Sequence, residues 1–240
     1  MSNHPEQNAG APTFSTAIAD ANNYIDWIIA KFAPFLGGRV LEVGIGHGSY
    51  FDRLRHFGPY LGVDIEPHLV REAKARFPDA QFAVADITND SFNQLVPPAS
   101  VRSVVCCNVL EHIEDERAAV ANLLTTLEPQ GHLLLLVPAL ELLYNDLDRL
   151  AGHHRRYSKA MMRDVLRGLP GQVKVMDYFN PIGGMAWLAN RLVKHESLDS
   201  GNVNRQIRIF DRYVLPVSRA LDPLTKRVFG QSLVTIVEKT

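Results

Sequence analysis

The chain has only two cysteines in 240 residues, and this rules out a disulfide framework or a thiolate metal site. Cys106 and Cys107 are adjacent inside an apolar run, which suits buried, reduced thiols. Long hydrophobic runs are lacking too. The longest, HLLLLVPALELLY, is interrupted by Pro138 and Glu141, short of the roughly 18 residues of a spanning helix. No charge sign dominates: 25 Lys+Arg against 26 Asp+Glu give a net charge of -1. A global basic footprint for nucleic acid or an anionic membrane is therefore missing. Residues 1–13 are polar and lack the basic-then-apolar order of a secretory signal, so a cytoplasmic location is the default expectation. No cluster in the sequence has metal-ligand spacing, and no metal is expected.

What is present suits one large globular domain: 46% of the residues are hydrophobic and 21% charged, with length enough for a sizeable core. We expect a loose tail over 1–13 and a single domain over 14–240. Short apolar stretches alternate with helical patterns. The strands are RVLEVG, YLGVDI, AQFAVADI, VRSVVCCNVL, HLLLLVP, QVKVMDYF and SLVTIVEK. A leading amphipathic helix carries Ile18, Ile25, Ile28, Ile29 and Phe32 near helical spacing. Pro67 opens one helix, and Asp115 caps another whose Val120, Leu123, Leu124 and Leu127 share a face. No strand pattern occurs over 181–229, which reads as a helical insertion before the last strand. The alternation predicts a doubly wound, Rossmann-like, mostly parallel seven-stranded α/β sheet with helices on both faces.

In such sheets ligands bind beyond the carboxyl ends of the strands. The first strand ends in GIGHG, which places Gly44, Gly46 and Gly48 two apart. A dinucleotide fingerprint needs G-x-G-x-x-G, and here Ser49 stands at its third glycine; no Gly-Lys-Ser/Thr follows for a P-loop. The loop therefore suits close backbone approach without a pyrophosphate. Asp64 at the tip of the second strand can accept from ribose hydroxyls. Asp86 at the end of the third can accept from an exocyclic adenine amine.

With these features in place, the chain resembles the class I S-adenosylmethionine-dependent methyltransferases over about residues 15 to 178. LEVGIGHG is similar to their E/D-x-G-x-G-x-G motif, LGVDIEP to their ribose-binding turn and VADI to their adenine-side acid. VVCCNVLEHIED resembles the fourth-strand segment of the small-molecule subgroup. The resemblance implies S-adenosylmethionine as cofactor, held by Glu42, Gly44, Gly46, Gly48, Asp64, Ile65, Asp86, Ile87 and Asn108. NNYIDWI resembles the leading helix of one bacterial branch, where Tyr24 would close over the cofactor; a plain packing role for Tyr24 and Trp27 stays open. LYNDLDRLAGHHRRYS resembles that branch's G-H-x-R-R-Y stretch.

Methyl transfer is an in-line displacement that needs alignment, exclusion of water and, for a neutral alcohol, a base. His153 is the favoured base over His154, with His112 as competitor; a structural role for His112 stays open. Tyr144, Arg155, Arg156 and Tyr157 are expected at the acceptor, the arginines as a clamp on an acidic group. The alternative is an internal pair with Asp146 or Asp148. His47 is expected to point outward.

The expected acceptor is a small molecule methylated at oxygen; nitrogen or carbon transfer, or cofactor binding without catalysis, remain alternatives. A nucleic-acid substrate is disfavoured, because Asn108-Val109-Leu110 replaces the Asn-Pro-Pro-aromatic motif of amino-methylating DNA enzymes. No stable membrane insertion is expected. A homodimer stays open, and the 181–229 segment is read as a lid, a packing layer or a contact surface.

Overall fold

The computed structural model describes residues 21–89, 91–192 and 209–240. The expected tail, Ile18 and the middle of the 181–229 segment lie outside them. Helix α1 (Asn22–Phe32) leads into strand β1 (Val40–Val43), followed by α2 (Phe51–Leu54), β2 (Tyr60–Asp64), α3 (Pro67–Arg76), β3 (Gln81–Val84), α4 (Phe92–Leu95) and β4 (Val101–Cys107). Then come α5 (Glu116–Thr126), β5 (Leu127–Pro138), α6 (Asp146–Leu150), α7 (Lys159–Leu166), β6 (Gly171–Phe179), α8 (Pro181–Ala189), α9 (Leu215–Thr225) and β7 (Ser232–Lys239). The helix expected after the glycine loop is a single turn, because Gly58 and Pro59 follow too soon for a second.

The sheet order is β3-β2-β1-β4-β5-β7-β6. The first five strands run parallel, and β7 is antiparallel to both neighbours. This is the seven-stranded doubly wound architecture the alternation implies.

Successive residues of a strand face opposite sides, and the central strands bury both. Leu41, Val43, Val104, Cys106, Leu133 and Leu135 pack with Val120, Leu123 and Leu124 of α5. Val40, Val105, Leu134 and Leu136 pack with Ile25, Ile28 and Phe32 of α1. Covering both faces explains why these strands read as continuous apolar runs.

Helix α1 has no side-chain cap of its own. Its first amides are met from far along the chain, where the Asp211 carboxylate accepts from the Asn23 N–H at 3.3 Å and the Tyr24 N–H at 2.8 Å. Directly beyond β4, β5 and β6 the backbone reverses through positive φ at Asn108 (52°), two residues past Pro138 at Leu140 (62°), and at Asn180 (61°). Those sharp exits gather the strand-end loops at one edge of the sheet.

Candidate active site

All three loop glycines have positive φ, at 74°, 51° and 73° for Gly44, Gly46 and Gly48, where a side chain is strained. Their surroundings differ. A Cβ on Gly44 would meet Val109 Cγ2 at 2.3 Å, and one on Gly48 would meet Phe77 at 3.1 Å. At Gly46 it would meet nothing within 4 Å. Gly44 and Gly48 therefore serve packing, and Gly46 borders open space at the sheet edge. Asp64 fastens this loop, its Oδ2 accepting from the Gly46 N–H at 3.0 Å and its Oδ1 from the Glu66 N–H at 2.9 Å. Burial raises the Asp64 carboxyl, and those backbone hydrogen bonds pull it back. Each oxygen keeps a second lone pair for a hydroxyl. The next residue, Ile65, is 61% exposed, an apolar surface at the strand tip.

Asp86 closes a turn of its own, accepting from the Thr88 N–H and hydroxyl at 2.9 and 2.7 Å. Ile87, the next residue, is expected beside the cofactor. Its side chain is buried in the core and its carbonyl accepts from Asn122, because the chain turns inward after Asp86. His47 is exposed, as expected, with Nδ1 3.8 Å from Glu72.

On the α1 side, Glu42 is 1% exposed. Tyr60 donates its hydroxyl to Oε2 at 2.5 Å, while Oε1 has no partner. Burial pushes this carboxyl up to about 8, against the Tyr60 hydrogen bond and with some help from Asp64. Tyr24 packs on Phe179 and is pushed up to about 12, chiefly by burial. An orphaned buried carboxylate oxygen, an open cradle at Gly46 and an exposed isoleucine fit the ammonium, the backbone-hugging middle and the adenine of S-adenosylmethionine.

The second half of the site comes from the loops after β4 and β5. Asp148 of α6 is fully buried and acts as a hub. Its Oδ1 lies 2.8 Å from His153 Nδ1 and accepts from Arg156 Nε at 2.9 Å, and its Oδ2 accepts from Trp187 Nε1 at 3.1 Å and the Asn145 N–H at 3.0 Å. Burial would raise this carboxyl, but the His153 hydrogen bond and the Arg156 guanidinium outweigh it and hold it below the usual range.

His153 thus has one ring nitrogen fixed, and its Nε2 lies 3.9 Å from Glu111 Oε1. The His112 ring meets it edge-on at 4.8 Å. Burial and the neighbouring His153 push His112 down to about 4. Glu111 is 0% exposed, and neither carboxylate oxygen has a hydrogen-bond partner. Burial pushes it up to about 8. Tyr144 donates its hydroxyl to the His153 carbonyl at 2.8 Å, steadying the loop from outside.

The arginines are not placed for an acceptor clamp. Arg156 is 2% exposed, donates to the Ala139 carbonyl at 3.1 Å and lies over the Trp187 ring. It takes the internal pairing with Asp148. Arg155 pairs with Glu116 and donates to the Glu114 carbonyl. Tyr157 is fully buried, its hydroxyl donating to the Leu110 carbonyl at 3.1 Å. Arg155 and Tyr157 hold the β5 loop against the β4 loop, and Arg156 ties the β5 loop to itself and to α8.

No metal-ligand spacing is visible along the chain, yet the fold sets Glu111, His112 and His153 with one ligand atom each within 4.8 Å of one another. Glu111 and Trp187 were missed. The buried acid beside His112 in LEHI was a signal, but its partner sits on another loop.

A doubly wound sheet with a glycine loop, a strand-tip acid and a buried polar corner at one edge defines a nucleoside-cofactor transferase site. Residues 18–171 match a family model described as a methyltransferase domain. A ubiquinone biosynthesis O-methyltransferase of Ralstonia nicotianae is 30% identical over 182 residues, 67% of this chain and 74% of that one. An uncharacterized methyltransferase of Mycobacterium tuberculosis is 33% identical over 115 residues, 48% of this chain and 57% of the relative. A similar enzyme of Xanthomonas campestris, also a ubiquinone biosynthesis O-methyltransferase, matches over 47% of its length, so this chain spans about half of some relatives. Among solved structures, an S-adenosylmethionine-dependent methyltransferase from Mesorhizobium loti superposes with a TM-score of 0.63 at 16% identity, covering 92% of this chain and 100% of that one.

The chain belongs to the class I S-adenosylmethionine-dependent methyltransferases. Its cofactor is S-adenosylmethionine. Among the described residues no helix is long and apolar enough to cross a membrane.

Proposed function

We propose that this methyltransferase acts on an oxygen of a small-molecule acceptor, with the acceptor hydroxyl set at the corner between the β4 and β5 loops. The carrying observation is the buried Asp148–His153 pair. With Asp148 accepting at Nδ1, the tautomer assigned from that hydrogen bond leaves His153 Nε2 as a proton acceptor. The loop that carries it follows β5, at the strand edge where ligands of doubly wound enzymes sit. The names of the Ralstonia and Xanthomonas relatives point the same way, toward oxygen.

Glu42, Gly46, Asp64 and Ile65 would hold the cofactor. Bound S-adenosylmethionine supplies an electrophilic methyl: an oxygen lone pair forms the C–O bond as the C–S pair returns to sulfur. His153 Nε2 takes the hydroxyl proton. Asp148 orients the ring and stabilises the imidazolium that results. Arg156 and Trp187 hold Asp148 in place.

An acceptor screen with isotope-labelled cofactor, read by product mass and by the position of the label, tests the reading. Phenols and hydroxy acids are the acceptors to try first. His153→Ala is expected to lower turnover roughly 10²- to 10⁴-fold while calorimetric cofactor affinity stays near wild type. A product labelled at nitrogen or carbon, or full turnover in His153→Ala, overturns it.

A further inference from the structure

We infer that Glu111, His112 and His153 form a binding site for a divalent cation of the zinc class, placed to hold the acceptor oxygen. Three lines of geometry converge. First, the three side chains come from the β4 and β5 loops and offer ligand atoms all within 4.8 Å of one another. A tetrahedral ion with bonds of ~2.1 Å spaces its ligands ~3.4 Å apart, so closure needs only rotamer adjustments.

Second, Glu111 is 0% exposed, aims into this cluster and has no hydrogen-bond partner on either oxygen. An isolated buried carboxylate is costly unless it is neutralised or coordinates a metal. The Arg156 charge acts on it from nearby, but the Arg156 hydrogen bonds go to Asp148 and the Ala139 carbonyl and none reaches Glu111. Third, His153 carries the support a metal ligand needs: Asp148 fixes Nδ1 at 2.8 Å and turns Nε2 toward Glu111, the carboxylate–histidine–metal arrangement.

Two imidazoles and one carboxylate select zinc, cobalt, iron or manganese over magnesium and calcium, which prefer all-oxygen shells. Three protein ligands leave coordination positions open, as catalytic sites do. Gly152 and His154, on the rim, are exposed and leave a path from solvent.

The ion's role in transfer rests on the oxygen-methylation reading; its binding does not. A hydroxyl bound to the ion loses its proton to water near neutral pH, as metal-bound water does. Its lone pair then attacks the methyl carbon while the C–S pair returns to sulfur. With the ion in place, His153 Nε2 is a ligand, and the ion takes over the work of the base.

The test uses the untagged full chain, stripped with chelator and titrated with Zn²⁺ and Co²⁺ alone. We expect one ion per chain by calorimetry and elemental analysis, and visible Co²⁺ d–d bands. Glu111→Gln and His153→Ala should each weaken binding more than 10-fold, since even loss of a supporting residue costs about 10- to 100-fold. Calorimetry with S-adenosylhomocysteine on each variant shows that it is folded. No uptake at millimolar ion, or uptake unchanged in both variants, overturns the site. Undiminished turnover of the stripped enzyme on an identified acceptor overturns the ion's role. Ion binding with label found on nitrogen or carbon would sink the oxygen reading and leave the site standing.

Discussion

Glu42 carries an unusual burden for a single residue. A carboxyl ordinarily near 4.5 is pushed up to about 8 by burial, so the folded protein keeps a proton that the unfolded chain gives up. Between those values the unfolded state binds fewer protons, and stability falls as pH rises. Glu42→Gln is expected to flatten the decline in Tm between about pH 4.5 and 8, the window set by this linkage. It should also weaken cofactor binding, because Oε1 is the atom free to meet an ammonium. Thermal denaturation across pH, with and without S-adenosylhomocysteine, checks both; a wild-type slope in Glu42→Gln sinks the first.

The glycines separate at the same scale. Ala at either position 44 or 46 costs about 1–2 kcal/mol of backbone strain. Only Gly44→Ala adds a collision, with Val109 at 2.3 Å. Gly44→Ala should therefore lower Tm the more, and Gly46→Ala should spend its effect on cofactor affinity. Equal losses of affinity and stability in the two variants would show that Gly46 serves the turn alone.

Among elements, the β5 loop is where sequence and structure part. The glycine loop, the strand-tip acids and the alternation of strands with helices were legible because they are local: spacing, periodicity and a terminal acid suffice. The arginines stay ambiguous in sequence because a guanidinium near histidine reads the same whether it faces a ligand or an inner carboxylate. Only the turn at Leu140 and the docking of α8 decide that Arg156 faces Asp148.

Asp148 is therefore the residue whose loss the element feels most. Asp148→Asn leaves Arg156 buried without its counter-charge, and breaking such a pair costs about 3–5 kcal/mol. Denaturant unfolding should show that loss largely erased in an Asp148→Asn, Arg156→Met double variant. An additive double variant would mean that the two groups are not coupled.

At the scale of the whole molecule, the first helix and the segment before α9 are fastened together. Asp211 supplies α1 with the cap its own sequence lacks. A lost cap costs ~1 kcal/mol, so Asp211→Ala should lower the urea midpoint modestly. Because α1 carries Tyr24, expected to close over the cofactor, cofactor affinity should fall as well. Unaltered affinity by calorimetry would show that α1 only packs.

The strand order has a further consequence, for synthesis. β6 pairs with β7 alone, and β7 fills the gap beside β5. While the ribosome is still making residues before 232, β3, β2, β1 and β4 already have every neighbour they need. β6 has none, and the apolar edge of β5 stands open, the kind of edge on which nascent chains aggregate. The last strand to emerge is the one that closes the sheet.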